Sequence, residues 1–418
     1  MQARDNAEGE VSASAFQYRG FVNYWFARFL NAFSIQIVSV AIGWQIYDET
    51  RDPFLLGLVG LVQFTPALLL VLVTGATADH FSRRRIMGAC IAAEALCVLG
   101  LVAIWVLRSH VEGGAGLIWP IFIVLTIFGV ARAFLGPAVQ SLVANLVPRE
   151  AFGNAVTWNS SSFQIAMIVG PVFGGLLYGI NPLAPYVLAF ALFSVASTLT
   201  FFIPKPAERT VPERGSWQTL LAGFQFIWKQ PIVLGAISLD MFAVLLGGAT
   251  ALLPAIARDV LEVGPWGLGC LRAASGLGAV AMAIWLMRHP IRDRAGYVMF
   301  AAVAVYGLFV IVFGLSHVVW LSVLSLSIVG AADMVSVYIR ATLVQLATPD
   351  DVRGRVSAVN MVFIGASNDL GEFRAGTMAA MVGVVPAVVL GGAGSILVAG
   401  LWARGFPELR EKRHLSGR

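Results

Sequence analysis

Long continuous runs of apolar residues alternate along this chain with short polar breaks. A bilayer core about 30 Å thick needs roughly 20 apolar residues per helix. Runs of that order fall at 21–47, 53–78, 86–107, 117–145, 154–179, 183–203, 231–257, 265–288, 296–315, 318–346, 356–382 and 385–403. None alternates with a period of two, so membrane-spanning helices are predicted rather than barrel strands. The pattern therefore predicts an all-α membrane protein with twelve spans.

The breaks carry charge unevenly. Twenty lysines and arginines fall in the tails and loops of one side, among them Arg83, Arg84, Arg85, Arg353 and Arg355. The other side holds three: Arg51, Arg108 and Arg258. That bias predicts cytoplasmic termini at both ends. Residues 1–20 read as a cytoplasmic tail: they are polar, and the first apolar run has no A-x-A cleavage site, so it stays in the mature protein. Two six-span bundles follow, 21–203 and 231–403, then a basic tail at 404–418. Between the bundles, the 204–230 connector opens with Pro204, Pro206 and Pro212, which interrupt helix. Its Trp217, Leu220, Leu221, Phe224, Ile227 and Trp228 recur at helical spacing, as in an amphipathic helix on the inner membrane face.

Composition sharpens the class. Charged residues make up 12% of the chain, about half the share of a soluble protein, and mean hydropathy is +0.81. This excludes disorder, a basic nucleic-acid binder and an ordinary cytosolic enzyme. Cys90, Cys97 and Cys270 lie in apolar runs without metal or disulfide spacing. None of the three lysines, Lys205, Lys229 and Lys412, completes a phosphate-cradling GxxxxGK[ST] loop, so energy must come from a gradient. No cofactor or metal is expected. The five histidines lie in or beside loops, which leaves carboxylates as the candidate proton carriers inside the membrane.

Shifted by 201 residues, the chain aligns with itself. Gly129 falls on Gly330, Pro148 on Pro349, Gly153 on Gly354, Asn159 on Asn360, Gly170 on Gly371 and Gly175 on Gly376. After the second span the chain reads Gly75-Ala-Thr-Ala-Asp79-His80-Phe-Ser82-Arg83-Arg84. The fifth span carries Gly170, Pro171, Gly174 and Gly175, a GPxxGG core, and Arg132 lies within the fourth. These features resemble motif A, the antiporter motif and the motif B arginine of the major facilitator superfamily. His80 and Ser82 depart from motif A, where a basic residue and a glycine are usual. The loops LVPREAFGNAVTWNSSS and TPDDVRGRVSAVN are similar to the branch of enterobactin and multidrug exporters.

The resemblance implies two homologous six-helix bundles related by an axis along the membrane normal. It implies that spans 1, 4, 7 and 10 line a central cavity, and these carry Arg28, Arg132, Asp240, Asp333 and Arg340. A charge at the bilayer centre costs about 2.5–3.5 kcal/mol, so such residues face a cavity or pair with each other. Asp333 and Arg340 are seven residues apart on one helix face, and Arg132 is the repeat-equivalent of Asp333. Asp333, then Asp240, is the expected proton carrier, with Arg132 and Arg340 as counter-charges. Static ion pairs holding the halves in register are the alternative. Further cavity candidates are Gln36, Trp44, Gln63, Asn159, Gln164, Asp369 and Glu372. Glu94, on an outer helix, is expected to be structural or to snorkel, and Arg272 to pair with an acid. Asp79 is expected to gate the inner face against the start of span 11.

The resulting expectation is a proton-driven exporter of a small amphipathic molecule, such as a siderophore or drug. Its partners would be that substrate, protons and the lipid bilayer of the inner membrane, with no nucleic acid, and it would act as a monomer. An importer and a lysolipid flippase share the same features. A polytopic membrane enzyme would need a clustered catalytic constellation, which is not evident.

Overall fold

The computed structural model describes residues 14–108, 118–143, 145–204, 217–291 and 293–411. Six long helices form the first half: α1 (Arg19–Thr50), α2 (Pro53–His80), α3 (Arg83–Arg108), α4 (Ile118–Val143), α5 (Arg149–Ile180) and α6 (Ala184–Phe201). The connector helix α7 (Trp217–Lys229) follows. The second half holds α8 (Pro231–Gly247), the single turn α9 (Leu253–Ala255), α10 (Pro265–Arg288), α11 (Ala295–Leu315), α12 (Val319–Ala347), α13 (Asp350–Val382) and α14 (Val384–Gly405). A short α15 (Pro407–Arg410) ends the described chain.

Local sequence sets the boundaries. Asp52 caps α2 by accepting from the Phe54 amide at 2.9 Å, with Pro53 at the first helical position, where it lacks no needed N–H. Gly383, at φ 93°, makes the tight turn between α13 and α14 that a side chain would strain. The seventh span differs from expectation. A single helix over 231–257 is replaced by α8, a 3₁₀ turn at Thr250–Leu252, α9 and a π turn at Ile256–Val260. Gly247 and Gly248 weaken the helix there, and Pro254 removes a backbone donor. Eleven described helical segments, counting Pro231–Val260 as one, are long and apolar enough to cross a bilayer. The twelfth, α13, is equally long but carries Asp369, Glu372 and Arg374.

The two halves repeat each other in packing. In the first, α2 lies on α4, α1 on α5 and α6, and α3 on α4 and α6. In the second, α10 lies on α12, α8 on α13 and α14, and α11 on α12 and α14. The repeated glycines explain the match. A Cβ on Gly129 would come within 2.5 Å of the Gln63 carbonyl of α2, and one on Gly330 within 1.8 Å of the Ser275 carbonyl of α10. Each glycine lets the equivalent helix pair touch backbone to backbone.

Between the halves, α2 meets α13 and α5 meets α10. Here Gly376 sits against Gly57, and Gly175 against the Pro265 carbonyl, another repeat-related pair. The connector helix packs on the second half. Gly223 abuts the backbone of Arg355, Phe224 meets Phe363 at 6.3 Å, and Ile227 is buried. Its Trp228 stays largely exposed and stacks on Phe224 at 5.8 Å. Large apolar side chains cover the outer faces, including Trp119, Ile123, Ile180, Leu397 and Trp320, each more than 60% exposed, as a lipid-facing surface requires.

Candidate functional site

A cavity of about 810 Å³ lies between the halves. That volume suits a drug-sized molecule. The first half contributes Arg28, Asn31, Gln36, Ser39, Gln63 and Arg132 to its wall, and the second Arg272, Asp333, Asn368, Asp369 and Glu372. The stretch from the end of α8 into α9, Gly247 to Pro254, also faces it. Irregular backbone at membrane depth is tolerated where it lines such a space. Phe163 and Met167 add an apolar patch.

Charge is distributed asymmetrically across this wall. Arg132 donates to Gln63 Oε1 at 3.2 Å and lies in the electrostatic field of Glu94, Asp369 and Glu372. Arg272 donates to Ser39 Oγ at 2.6 Å, across the interface, and faces Glu372 electrostatically. A mixed cluster therefore joins α4 and α1 of one half to α10 and α13 of the other. Gln36 donates to the Met167 sulfur at 2.6 Å.

Behind the second-half wall is a different arrangement. Arg340 Nη1 and Asp240 Oδ2 form an ion pair at 2.7 Å, with both side chains at least 93% buried. Asp333 is electrostatically coupled to both, and Tyr306 to the two acids. Asp333 alone among these three charges also lines the main cavity. Arg374 holds the broken end of α8 by donating to the Leu246 carbonyl at 2.5 Å.

These positions revise several expectations. Trp44, Asn159, Gln164 and Asp240 are not on the cavity wall. Trp44 is buried beneath Arg258, whose guanidinium lies 5.5 Å from the ring centre. Asp240 is held away from the cavity by its ion pair. The acids around Arg132 are Glu94, Asp369 and Glu372, whereas Arg340 serves as the direct counter-charge of Asp240. Glu94 does not snorkel: it is fully buried and accepts a hydrogen bond from the Asn31 amide. The glycines of the antiporter motif are packing surfaces. Gly170 and Gly174 seat α5 on Gln36 and Ile37 of α1, while the Pro171 carbonyl and Gly175 meet Gly269 and Pro265 of α10. Of the motif A residues, Arg84 donates to the Ile203 carbonyl at 2.5 Å, tying α3 to the end of α6, and Arg83 opens α3. The Asp79 side chain lies outside the described residues, and so does the expected contact with span 11.

One cluster escaped the sequence reading. At the end of α1 and in the π turn after α9, Arg258 pairs with Asp48 at 2.5 Å and Arg51 with Asp259 at 2.5 Å, while the Tyr47 hydroxyl donates to Asp259. These bonds cross between the halves at the end that carries few basic residues. The signal was present: Arg51 and Arg258 are two of only three arginines on that side, and each neighbours an acid.

A family model described as Major Facilitator Superfamily matches residues 24–371. The chain belongs to that superfamily. Among curated relatives, the enterobactin exporter EntS of Shigella boydii is 25% identical over 400 residues, covering 93% of this chain and 92% of the relative. EntS of Citrobacter koseri is 24% identical over the same shares. Among solved structures, a bacterial homologue of the human lysosomal transporter Spinster, in an inward-facing unoccupied conformation, has a TM-score of 0.71 at 14% identity, covering 94% and 98% of the two chains. An inward-facing bacterial homologue of the iron transporter ferroportin gives 0.69 at 15% identity, covering 92% and 98%. The protein is thus a multi-pass membrane transporter of the major facilitator fold and not an enzyme.

Proposed function

We propose that this transporter exports a small amphipathic molecule, a siderophore or drug, in exchange for protons across the inner membrane. The observation that carries the reading is the cavity wall itself. Arg28 and Arg132 face Asp333, Asp369 and Glu372 across a space of drug-molecule size, and Asp333 joins that space to a buried ion pair. A carboxylate so placed can exchange a proton with cavity water, while a neighbouring arginine holds whichever acid is charged. Similarity to the enterobactin exporters supports outward transport and a catecholate siderophore as first substrate to try. The bonds joining Tyr47, Asp48 and Arg51 to Arg258 and Asp259 support an inward-facing state, closed on the outer side. The charge bias of the loops supports cytoplasmic termini and a cytoplasmic 204–230 connector, and the chain is proposed to work as a monomer. Motif A, through Asp79, is proposed to close the inner face in the opposite state.

Everted membrane vesicles containing the protein test this reading. An imposed gradient, acid inside, should drive accumulation of a catecholate siderophore or a cationic dye, and a protonophore should abolish it. Accumulation at one rate with and without the gradient would overturn proton-driven export.

A further inference from the structure

Beside the main cavity, a second and much smaller space is lined by Asp240, Asp333, Tyr306 and Ser336 together with Ala243, Val244, Val303 and Ala332. Its volume, about 10 Å³ for the centre of a water-sized sphere, is close to the least that holds one water molecule. Such a site also needs two to four polar partners. It has them in two carboxylates, a phenol and a hydroxyl. The Ser336 hydroxyl supplies the independent sign of an occupant. Its oxygen is buried, with the residue 3% exposed, and it has no hydrogen-bond partner among the described residues. A buried hydroxyl left unbonded costs about 1–3 kcal/mol, which a bridging molecule would offset. Apolar residues make up the rest of the wall, and the volume matches a single water molecule.

We infer that this space holds one structural water, bonded to Ser336 and bridging Asp333 to Asp240, which passes protons between the cavity and the buried ion pair. The inference rests on the proposed proton exchange for its direction but not for the water itself. In the step, protonated Asp333 donates its O–H proton to the water oxygen. The water releases one of its own protons to the Asp240 carboxylate. Asp333 becomes charged, Asp240 neutral, and the water is regenerated. Arg340 faces both acids, so its positive charge follows the negative one from Asp240 to Asp333 without leaving its helix. Among the described residues, the other charged or titratable groups around the pair are Tyr306 from α11 and, near Tyr306, Arg374 from α13. The relay explains how an acid that does not touch the cavity can still exchange protons with it.

Infrared difference spectroscopy on the purified transporter in lipid nanodiscs, stepped between acidic and alkaline pH, reads both parts without substrate or gradient. The wild type should show carboxylic-acid C=O bands lost in Asp333→Asn and Asp240→Asn. It should also show an isolated water O–H stretch that shifts in H₂¹⁸O. Ser336→Val, whose extra methyl groups enter the space, should lose the water band while keeping helix content and a monodisperse elution profile. Absence of any band sensitive to H₂¹⁸O, or its persistence in a folded Ser336→Val protein, would overturn the inference. Failure of the vesicle assay with this water band intact would instead count against proton-driven export.

Discussion

The two halves share a backbone plan and invert its charges. Gly129 and Gly330 make the same close helix contact, and Gly175 and Gly376 make the same contact between halves. Three residues beyond the first pair, Arg132 of α4 stands where Asp333 stands in α12. Each half also buries an acid, by different means. Glu94 of α3 is held by the Asn31 amide, whereas Asp240 of α8 is paired with Arg340. Helix packing is thus conserved by small residues at fixed positions, while polar chemistry is free to diverge at the neighbouring ones. The first half presents two arginines, Arg28 and Arg132, to the cavity. The second presents an acid with a second acid and an arginine behind it, the arrangement suited to moving a proton.

The buried ion pair should give the largest effect. Arg340→Met would leave Asp240 buried without its counter-charge, at a cost of about 3–5 kcal/mol, seen as a large fall in the midpoint of thermal unfolding in detergent. Adding Asp240→Leu to that variant should recover most of the loss, because an apolar pair of similar volume is often neutral or stabilising. In the first half the corresponding test is Asn31→Leu. It removes one donor from a buried acid and should cost about 1–3 kcal/mol. An equal loss at both sites would erase the distinction between a charge-paired and an amide-held acid.

Glycine substitutions sharpen the symmetric side of the comparison. Gly330→Ala and Gly129→Ala should each destabilise by about 1–3 kcal/mol through overpacking, Gly330→Ala more so because its methyl would approach a carbonyl at 1.8 Å against 2.5 Å. Gly153→Ala and Gly354→Ala form the control. Nothing lies within 4 Å of either added carbon, and both sit in helices, so each should be neutral or stabilise by up to about 1 kcal/mol.

How far this was legible in the sequence follows from the range of each interaction. Span count, the repeat and the halves depend on local hydrophobicity and on register along the chain, and the sequence carries both. The break in span 7 was signalled by Gly247, Gly248 and Pro254, but apolar composition continued across it and concealed the unwinding. Pairing is the least local of these features. Seven-residue spacing linked Arg340 to Asp333 on one helix, yet the nearest acid to its guanidinium is Asp240 on another. Likewise Arg132 finds Asp369 and Glu372 only because Gly57 and Gly60 let α2 and α13 close together. Partners brought together by tertiary packing leave no spacing signature.

The smallest effect on stability belongs to the outer cluster. Arg258–Asp48 and Arg51–Asp259 are about a third to a half exposed, so Arg51→Ala should change stability by no more than about 1 kcal/mol. Because these bonds join the halves, the same substitution should still raise the labelling of a cysteine placed at Gly43, on the cavity wall, by an impermeant reagent added from outside. Unchanged labelling would mean the cluster does not hold that end shut.

The central claim, that the acid inverted from Arg132 couples transport to protons, is tested most directly by proton movement itself. In proteoliposomes enclosing a pH-sensitive dye, addition of a transported siderophore to one face should move protons in the opposite direction through the wild type. Asp333→Asn should abolish that signal while exchange of labelled for unlabelled substrate continues. Full proton movement through Asp333→Asn, and through the double variant with Asp240→Asn, would contradict the account.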